Sequence, residues 1–190
     1  EIAQCLVGSE MCIRDRLYVT HSADEMTRLA DKLVVMADGK VRREGPLAEV
    51  LADVKMPIET ENGASVVLSG KVSSLSSEWK TCCIDAGGWT FETPTASLAM
   101  GSQVRLRVLA RDVSIAVEKP DSISIRNRLQ AEVEEIAAHP SEPAYQLVKL
   151  KCPNGEGRLV SRILNQSVTE LGLHPGSQVW ALVKASAVIM

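Results

Sequence analysis

The chain has 190 residues, of which 45% are apolar, 24% are charged and only 3% are aromatic, and its net charge is −3. This apolar share is enough for one domain, or two small ones, to bury a core without metals or disulfides. The acidic balance and the few aromatic residues argue against nucleic-acid binding, which needs a basic surface. We find no apolar run of membrane-spanning length and no leader pattern, so we expect a cytosolic protein.

The cysteines and other reactive residues predict no chemistry of their own. The five cysteines are an odd number without a CxxC pair, which favours neither a disulfide framework nor a zinc site. The sequence also lacks a recognisable carboxylate pair or nucleophile–base set. We therefore expect no metal site and no enzymatic activity from this chain as it stands.

The first sixteen residues differ in character from the rest. The run EIAQCLVGSEMCIRDR shows neither a helical nor a strand period, and CLVGSEMCIRD resembles the translation of a sequencing adaptor. We expect residues 1–16 to be non-native and exclude them from the fold prediction.

From residue 17 the pattern becomes α/β. Ser22, followed by Glu25 three residues later, is a typical helix N-cap, and Asp38-Gly39 is typical of a tight hairpin turn. The predicted elements are a strand at 17–20, a helix at 23–33, hairpin strands at 34–36 and 40–41, and a helix at 47–51.

The run YVTHSADEMTRLADKLVVMADGKVRREGPLAEVL resembles the end of the ATPase domain of ABC transporters, from the switch-histidine loop to the last helix. The resemblance implies that residues 17–53 are the C-terminal remnant of such a domain. It also implies that His21 is the catalytic switch histidine, which in a complete domain reaches the γ-phosphate of ATP. The sequence has no GxxxxGK[ST] loop, no LSGGQ signature and no acidic Walker B strand ahead of His21. ATP is therefore expected as a ligand only of a complete parent protein.

Residues 54–64 are rich in turn-forming and acidic residues and are predicted to be a linker. Beyond them the chain consists of short apolar runs separated by Gly, Ser, Asn and Pro, a pattern typical of small β-barrels. The predicted strands are 66–72, 81–84, 89–91, 104–109, 129–136, 145–150 and 158–163, with a short helix at 165–171. His139 and His174 lie beside prolines and are expected at the surface.

An internal repeat predicts two tandem units. The tetrad Gly-Ser-Gln-Val occurs at 101–104 and again at 176–179, and the apolar positions that follow it recur in phase. We interpret residues 65–118 and 123–190 as two units, each an OB-like barrel of five strands. The predicted fold class is therefore mainly β, with an α/β remnant in front.

The second unit carries a candidate anion site. Residues 124–127 read Ser-Ile-Arg-Asn, and the later runs SVTELGLHPGSQV and VKAS complete a resemblance to the Mop domain, also called TOBE, which binds molybdate and tungstate. The family's usual opening is Ser-Ala-Arg-Asn, so the chain departs from it at Ile125, where we expect the backbone to act. Hydroxyl, amide, guanidinium and ammonium donors are what a small tetrahedral dianion requires.

The resemblance assigns roles to individual residues. Ser124 would donate its hydroxyl, Ser167 would add another near a helix N-terminus, and Lys184 would supply positive charge. Leu164 stands where relatives can have a threonine. The implied anion-binding residues are Ser124, Ile125, Arg126, Asn127, Ser167, Lys184 and Ala185, the last replacing a serine of some relatives. The first unit has Ser65 and Leu109 at the positions of the two cations, so we expect the site in the second unit.

Taken together, the resemblances point to the C-terminal part of the ATP-binding subunit of molybdate ABC importers. They imply an oxyanion-binding regulatory region that forms a homodimer or higher oligomer and docks on a membrane permease from the cytoplasmic side. In the family, such pockets form between neighbouring units. The alternatives are a stand-alone cytosolic molybdate-binding protein, similar to the molbindins, and a purely structural dimerisation domain. An OB-fold nucleic-acid binder is disfavoured by charge and aromatic content.

Overall fold

The computed structural model of the protein describes residues 16–55, 58, 63–94 and 98–189. Nearly all of the segment predicted to be non-native and much of the predicted linker lie outside these residues. The described part is mainly β, with OB-like units after a short α/β segment, so the predicted fold class is confirmed. None of its helices is long and apolar enough to cross a membrane.

The α/β segment contains two short helices and a hairpin. Its elements are α1 (Ala23–Leu29), β1 (Lys32–Ala37), β2 (Lys40–Pro46) and α2 (Leu47–Leu51). Ser22 caps α1, because its Oγ accepts a hydrogen bond from the Glu25 N–H at 3.4 Å. Asp38 and Gly39 both have positive φ, at 52° and 70°, as a two-residue hairpin turn with the right twist requires.

Two details of the prediction for this segment are wrong. Residues 17–20 form no strand, and among the described residues no strand lies beside them to take their backbone hydrogen bonds. The predicted helix at 23–33 ends earlier, at Leu29, because Lys32 already begins β1 and pairs with Pro46 of β2. Leu33 therefore contributes to the core from a strand.

Most of the chain forms two five-stranded antiparallel sheets. The elements of the first unit are β3 (Ser65–Ser76), β4 (Thr81–Ala86), β5 (Trp89–Pro94), β6 (Gln103–Leu109), a 3-10 turn (Ala110–Asp112) and β7 (Val113–Ala116). Those of the second unit are β8 (Asn127–Ala138), β9 (Tyr145–Lys151), β10 (Arg158–Leu164), α3 (Asn165–Glu170), β11 (Gln178–Val183), a 3-10 turn (Ala185–Ala187) and β12 (Val188–Ile189).

The two units have matching strand registers. Val66 pairs with Val108 between β3 and β6, and Asn127 pairs with Val183 between β8 and β11. These pairs occupy equivalent positions in the repeat, so the same local structure is built twice. The boundaries of the two units remain a prediction, because the sheets do not follow them.

Each sheet takes its fifth strand from the other unit. The strand orders are β12-β6-β3-β4-β5 and β10-β9-β8-β11-β7. Val188 of β12 pairs with Val108, and Val113 of β7 pairs with Val183. Each short last strand thus covers an edge that the other unit would leave open, and strand edges with unpaired backbone groups are otherwise exposed to wrong pairing.

The two units share one hydrophobic core, whose fully buried side chains include Phe91, Ile84, Leu106, Leu147 and Leu150. The hairpin turns of both units meet at its edge, where the Gly157 N–H donates a hydrogen bond to the Gly87 carbonyl at 2.8 Å. A second, small core joins α2 to β3 through Leu47, Val50, Leu51, Leu33 and Val67. The tandem part therefore folds as a single body with the α/β segment attached.

Candidate functional site

The two predicted cations meet at one end of the second sheet. Asn127 is the first residue of β8 and pairs with Val183, the last residue of β11. Arg126 and Lys184 are the next residues outward on these neighbouring strands. Both are exposed. We call residues 124–127 together with Lys184 and Ala185 the candidate oxyanion site.

The remaining predicted donors of the site are neighbours of these cations along the chain. Ser124 is exposed and Ile125 is half-buried just ahead of β8. Ala185 begins the 3-10 turn after β11, and its carbonyl accepts a hydrogen bond from Thr93 Oγ1 of β5 at 3.3 Å. The first unit therefore forms one wall of the site through β5.

Asn127 is buried, at 2% exposure, and faces the backbone of β5. Its Oδ1 accepts the Glu92 N–H at 2.6 Å, and its Nδ2 donates to the Glu92 carbonyl at 3.0 Å. Since β5 is an edge strand, these two backbone groups point away from the sheet and would otherwise lack partners. Asn127 thus fixes β5 against the second unit.

Glu92 is the site residue that the sequence analysis missed. Its Oε2 accepts a hydrogen bond from Arg126 Nε at 2.9 Å and forms an ion pair with it. The residue lies in the first unit, outside every motif used for the prediction. The available signal was a charged residue next to the strand predicted at 89–91, which does not by itself identify a partner.

Ser167 lies elsewhere. It belongs to α3, which follows β10, and the neighbouring Asn165 donates from Nδ2 to the Pro143 carbonyl in the loop between β8 and β9. That loop is at the opposite end of β8 from Asn127. A single copy of the chain therefore does not bring Ser167 to Arg126 and Lys184.

His21 is also remote from the candidate oxyanion site. It is exposed immediately before α1. The end of α1 is held by β6, because Arg105 Nη1 donates to the Ala30 carbonyl at 2.9 Å and Arg105 also pairs with Asp31. The site, in contrast, lies against β5, at the other side of the first sheet.

The matching position in the first unit has different chemistry, because Ser65, the counterpart of Arg126, is buried and its Oγ accepts a hydrogen bond from Arg107 Nε at 3.4 Å. Val66 stands where the second unit has Asn127, and Leu109 stands where it has Lys184, and both are buried. Within the described residues, no group of three or more His, Cys, Asp or Glu side chains is placed to hold a metal ion. The first unit thus has neither an arginine at the position of Arg126 nor a lysine at the position of Lys184.

Comparison with known proteins finds proteins of similar sequence. Residues 123–190 match the TOBE domain. The chain is 37% identical over 173 residues to the molybdenum import ATP-binding protein ModC of Methylococcus capsulatus, and 38% identical over 176 residues to that of Pseudomonas fluorescens. Each alignment covers 91% of this chain and 48% of the relative, so the chain spans about half the length of these proteins.

A solved structure supports the fold assignment. The cytoplasmic molybdate-binding protein ModG, determined with molybdate bound, superimposes with a TM-score of 0.55 and 28% sequence identity. The match covers 65% of this chain and 92% of that protein. Residues 123–190 therefore match the TOBE domain, within a chain that is similar to the C-terminal portion of the molybdenum import ATP-binding proteins ModC.

Proposed function

We propose that the chain is the oxyanion-binding regulatory region of the ATPase subunit of a molybdate importer. The observation that carries the proposal is the placement of Arg126 and Lys184 at adjacent strand ends of the TOBE domain. A guanidinium and an ammonium beside each other, with a hydroxyl at Ser124, supply the charge and donors that a tetrahedral dianion requires. Molybdate and tungstate are the proposed ligands.

The full donor set requires more than one copy of the chain. Ser167 lies at the far end of β8 from Arg126, so its hydroxyl can join the site only from a neighbouring molecule. The backbone N–H groups of Ile125 and Ala185 are proposed to supplement it, because converging backbone N–H groups favour an anion. We therefore propose a homodimer or higher oligomer with anion pockets at its interfaces.

The α/β segment supports a larger ATP-binding parent. Large apolar side chains are exposed on it, among them Leu17 at 92% and Val19 at 90% exposure, and such a surface is typical of an interface. The further exposed apolar residues of this segment are Tyr18, Leu29, Val34, Met36 and Val41. We propose that the rest of an ATPase domain covers them, that His21 acts there on ATP, and that the complete protein docks on its permease at the cytoplasmic face of the membrane.

Two other functions draw on specific observations. Similarity to ModG over 92% of that protein's length favours a stand-alone molybdate-binding protein. The ion pair of Glu92 with Arg126 favours a purely structural domain, because it neutralises one of the two cations. The two alternatives differ in what they predict for the purified chain: a stand-alone molybdate-binding protein binds the anion, whereas a purely structural domain does not.

Isothermal titration of the 190-residue chain with molybdate, tungstate and sulfate tests the proposal. We expect saturable binding of molybdate and tungstate that is abolished in the double variant Arg126→Ala, Lys184→Ala. The matched control is Lys40→Ala, Arg42→Ala, which removes two exposed cations from the hairpin of the α/β segment and should bind as the parent chain does. Absence of heat up to millimolar anion would favour the structural alternative, and equal loss in both double variants would refute the assigned site.

A further inference from the structure

The carboxylate of Glu92 lies where an anion bound to Arg126 would lie. Its Oε2 is 2.9 Å from Arg126 Nε, and its Oε1 accepts a hydrogen bond from Thr81 Oγ1 at 3.4 Å. The Glu92 side chain is 24% exposed, whereas that of Arg126 is 63% exposed. The carboxylate is therefore the more enclosed member of the pair and approaches the guanidinium from the protein side.

The position of Glu92 is set by buried contacts of its backbone. Asn127 holds both its N–H and its carbonyl, and the next residue, Thr93, is 1% exposed and bonded to Ala185. Surface ion pairs contribute little to stability when both side chains must be ordered together. Here the backbone of Glu92 is fixed and its carboxylate also accepts a hydrogen bond from Thr81 Oγ1, so this side chain loses less freedom on pairing with Arg126 than an unanchored one would.

A carboxylate and a tetrahedral oxyanion compete for the same donors. Both offer oxygen acceptors to the planar guanidinium, and like charges a few ångströms apart repel each other. We propose that Glu92 is a built-in competitor that lowers the affinity of the candidate oxyanion site and tunes it by ligand charge. An incoming anion must displace the carboxylate from Arg126 or bind the outer N–H groups beside it, and repulsion opposes both arrangements.

The inference rests on the proposed function and adds a residue that determines affinity and selectivity. Because Coulomb repulsion scales with the ligand's charge, Glu92 opposes a dianion more than a monoanion of similar shape. Molybdate and perrhenate are such a pair of tetrahedral oxyanions. Removing the carboxylate should therefore improve molybdate binding more than perrhenate binding.

The test is titration of the full chain and its Glu92→Gln variant with sodium molybdate and sodium perrhenate. Glutamine keeps the shape of the side chain and leaves the backbone bonds to Asn127 in place. We expect molybdate to bind roughly two- to fivefold more tightly to the variant, the range that loss of one competing ion pair allows, and perrhenate to gain less. Glu142→Gln is the matched control, since Glu142 forms a similar pair with Arg162 at 2.8 Å in the second unit.

The outcomes separate this inference from the proposed function. Unchanged or weaker molybdate binding in Glu92→Gln, with the parent chain binding, overturns the competitor role and leaves the proposed function standing. Binding that appears only in the variant supports the inference. Silence in both chains rejects the inference together with the proposed function. Glu92→Met, of similar length and without charge, repeats the comparison if a thermal melt shows that Glu92→Gln does not fold.

Discussion

The side chain of Asn127 should contribute more to stability than any other single polar group at the junction of the two units. Replacement by alanine removes the hydrogen bonds at 2.6 Å and 3.0 Å and leaves the N–H and carbonyl of Glu92 without them. A buried backbone group that loses its partner costs about 1 to 3 kcal/mol. Since Asn127 is 2% exposed, water reaches the vacated groups poorly, and we expect a loss of about 2 to 4 kcal/mol in the free energy of unfolding.

Urea unfolding followed by tryptophan fluorescence measures this loss. Trp89 is a suitable probe, because it is buried and its Nε1 donates to the Gln130 carbonyl at 2.7 Å across the same junction. The matched control is Asn165→Ala, which removes one hydrogen bond from an exposed asparagine and should cost about 0.5 to 1 kcal/mol. Asn127→Asp keeps the acceptor but turns a second oxygen towards the Glu92 carbonyl, so it should also destabilise. If Asn127→Ala cost no more than the control, Asn127 would not fix β5 as described.

Two further predictions concern the hairpin contact and the pH dependence of stability. A Cβ added at Gly157 would lie 2.5 Å from the Gly87 carbonyl oxygen, so Gly157→Ala should lower the free energy of unfolding by about 1 to 3 kcal/mol, measured by thermal unfolding. The control is Gly39→Ala, whose Cβ meets nothing within 4 Å and which should cost only about 1 kcal/mol because of the positive φ. Equal losses in the two variants would contradict the close contact at Gly157. The hydrogen bond from Lys151 holds the pKa of Glu132 below its ordinary value, so this carboxylate stabilises the fold above its unfolded pKa and the contribution is lost as the pH falls through the folded pKa. The difference in free energy of unfolding between the parent chain and Glu132→Gln should therefore be largest above about pH 5 and shrink on acidification. A difference that grows towards low pH would contradict a lowered pKa of Glu132.

Local patterns predicted the strands well because each depends on a short run of residues. Alternation of apolar residues and turn signals located the hairpin turn at Asp38-Gly39 and the helix before Gly172, which adopts the positive φ of 59° expected of a helix stop. The strand predicted at 17–20 failed, since an apolar run becomes a strand only where a neighbour takes its hydrogen bonds. His139 was expected at the surface, yet it is buried, with its Nδ1 accepting the Glu142 N–H at 3.2 Å.

The candidate site was predictable only as far as the TOBE motif extends. The repeat identified which unit carries Arg126 and Lys184, and the strand register explains why they lie side by side. Neither Glu92 nor the role of Asn127 in holding β5 follows from sequence, because both depend on contacts between units. Alternation along a strand specifies which face is buried, but not which sheet edge the strand joins.

The exchanged last strands affect the order in which the chain can fold. β12 is the last element of the second unit, yet it completes the sheet of the first by pairing with Val108 and Arg107. During synthesis, one edge of β6 therefore stays unpaired until the second unit has left the ribosome. Long-range pairing of this kind slows folding and exposes intermediates to aggregation. The two units should therefore reach their native state together, and a truncation that removes β12 should damage the first unit although it leaves every residue of that unit in place.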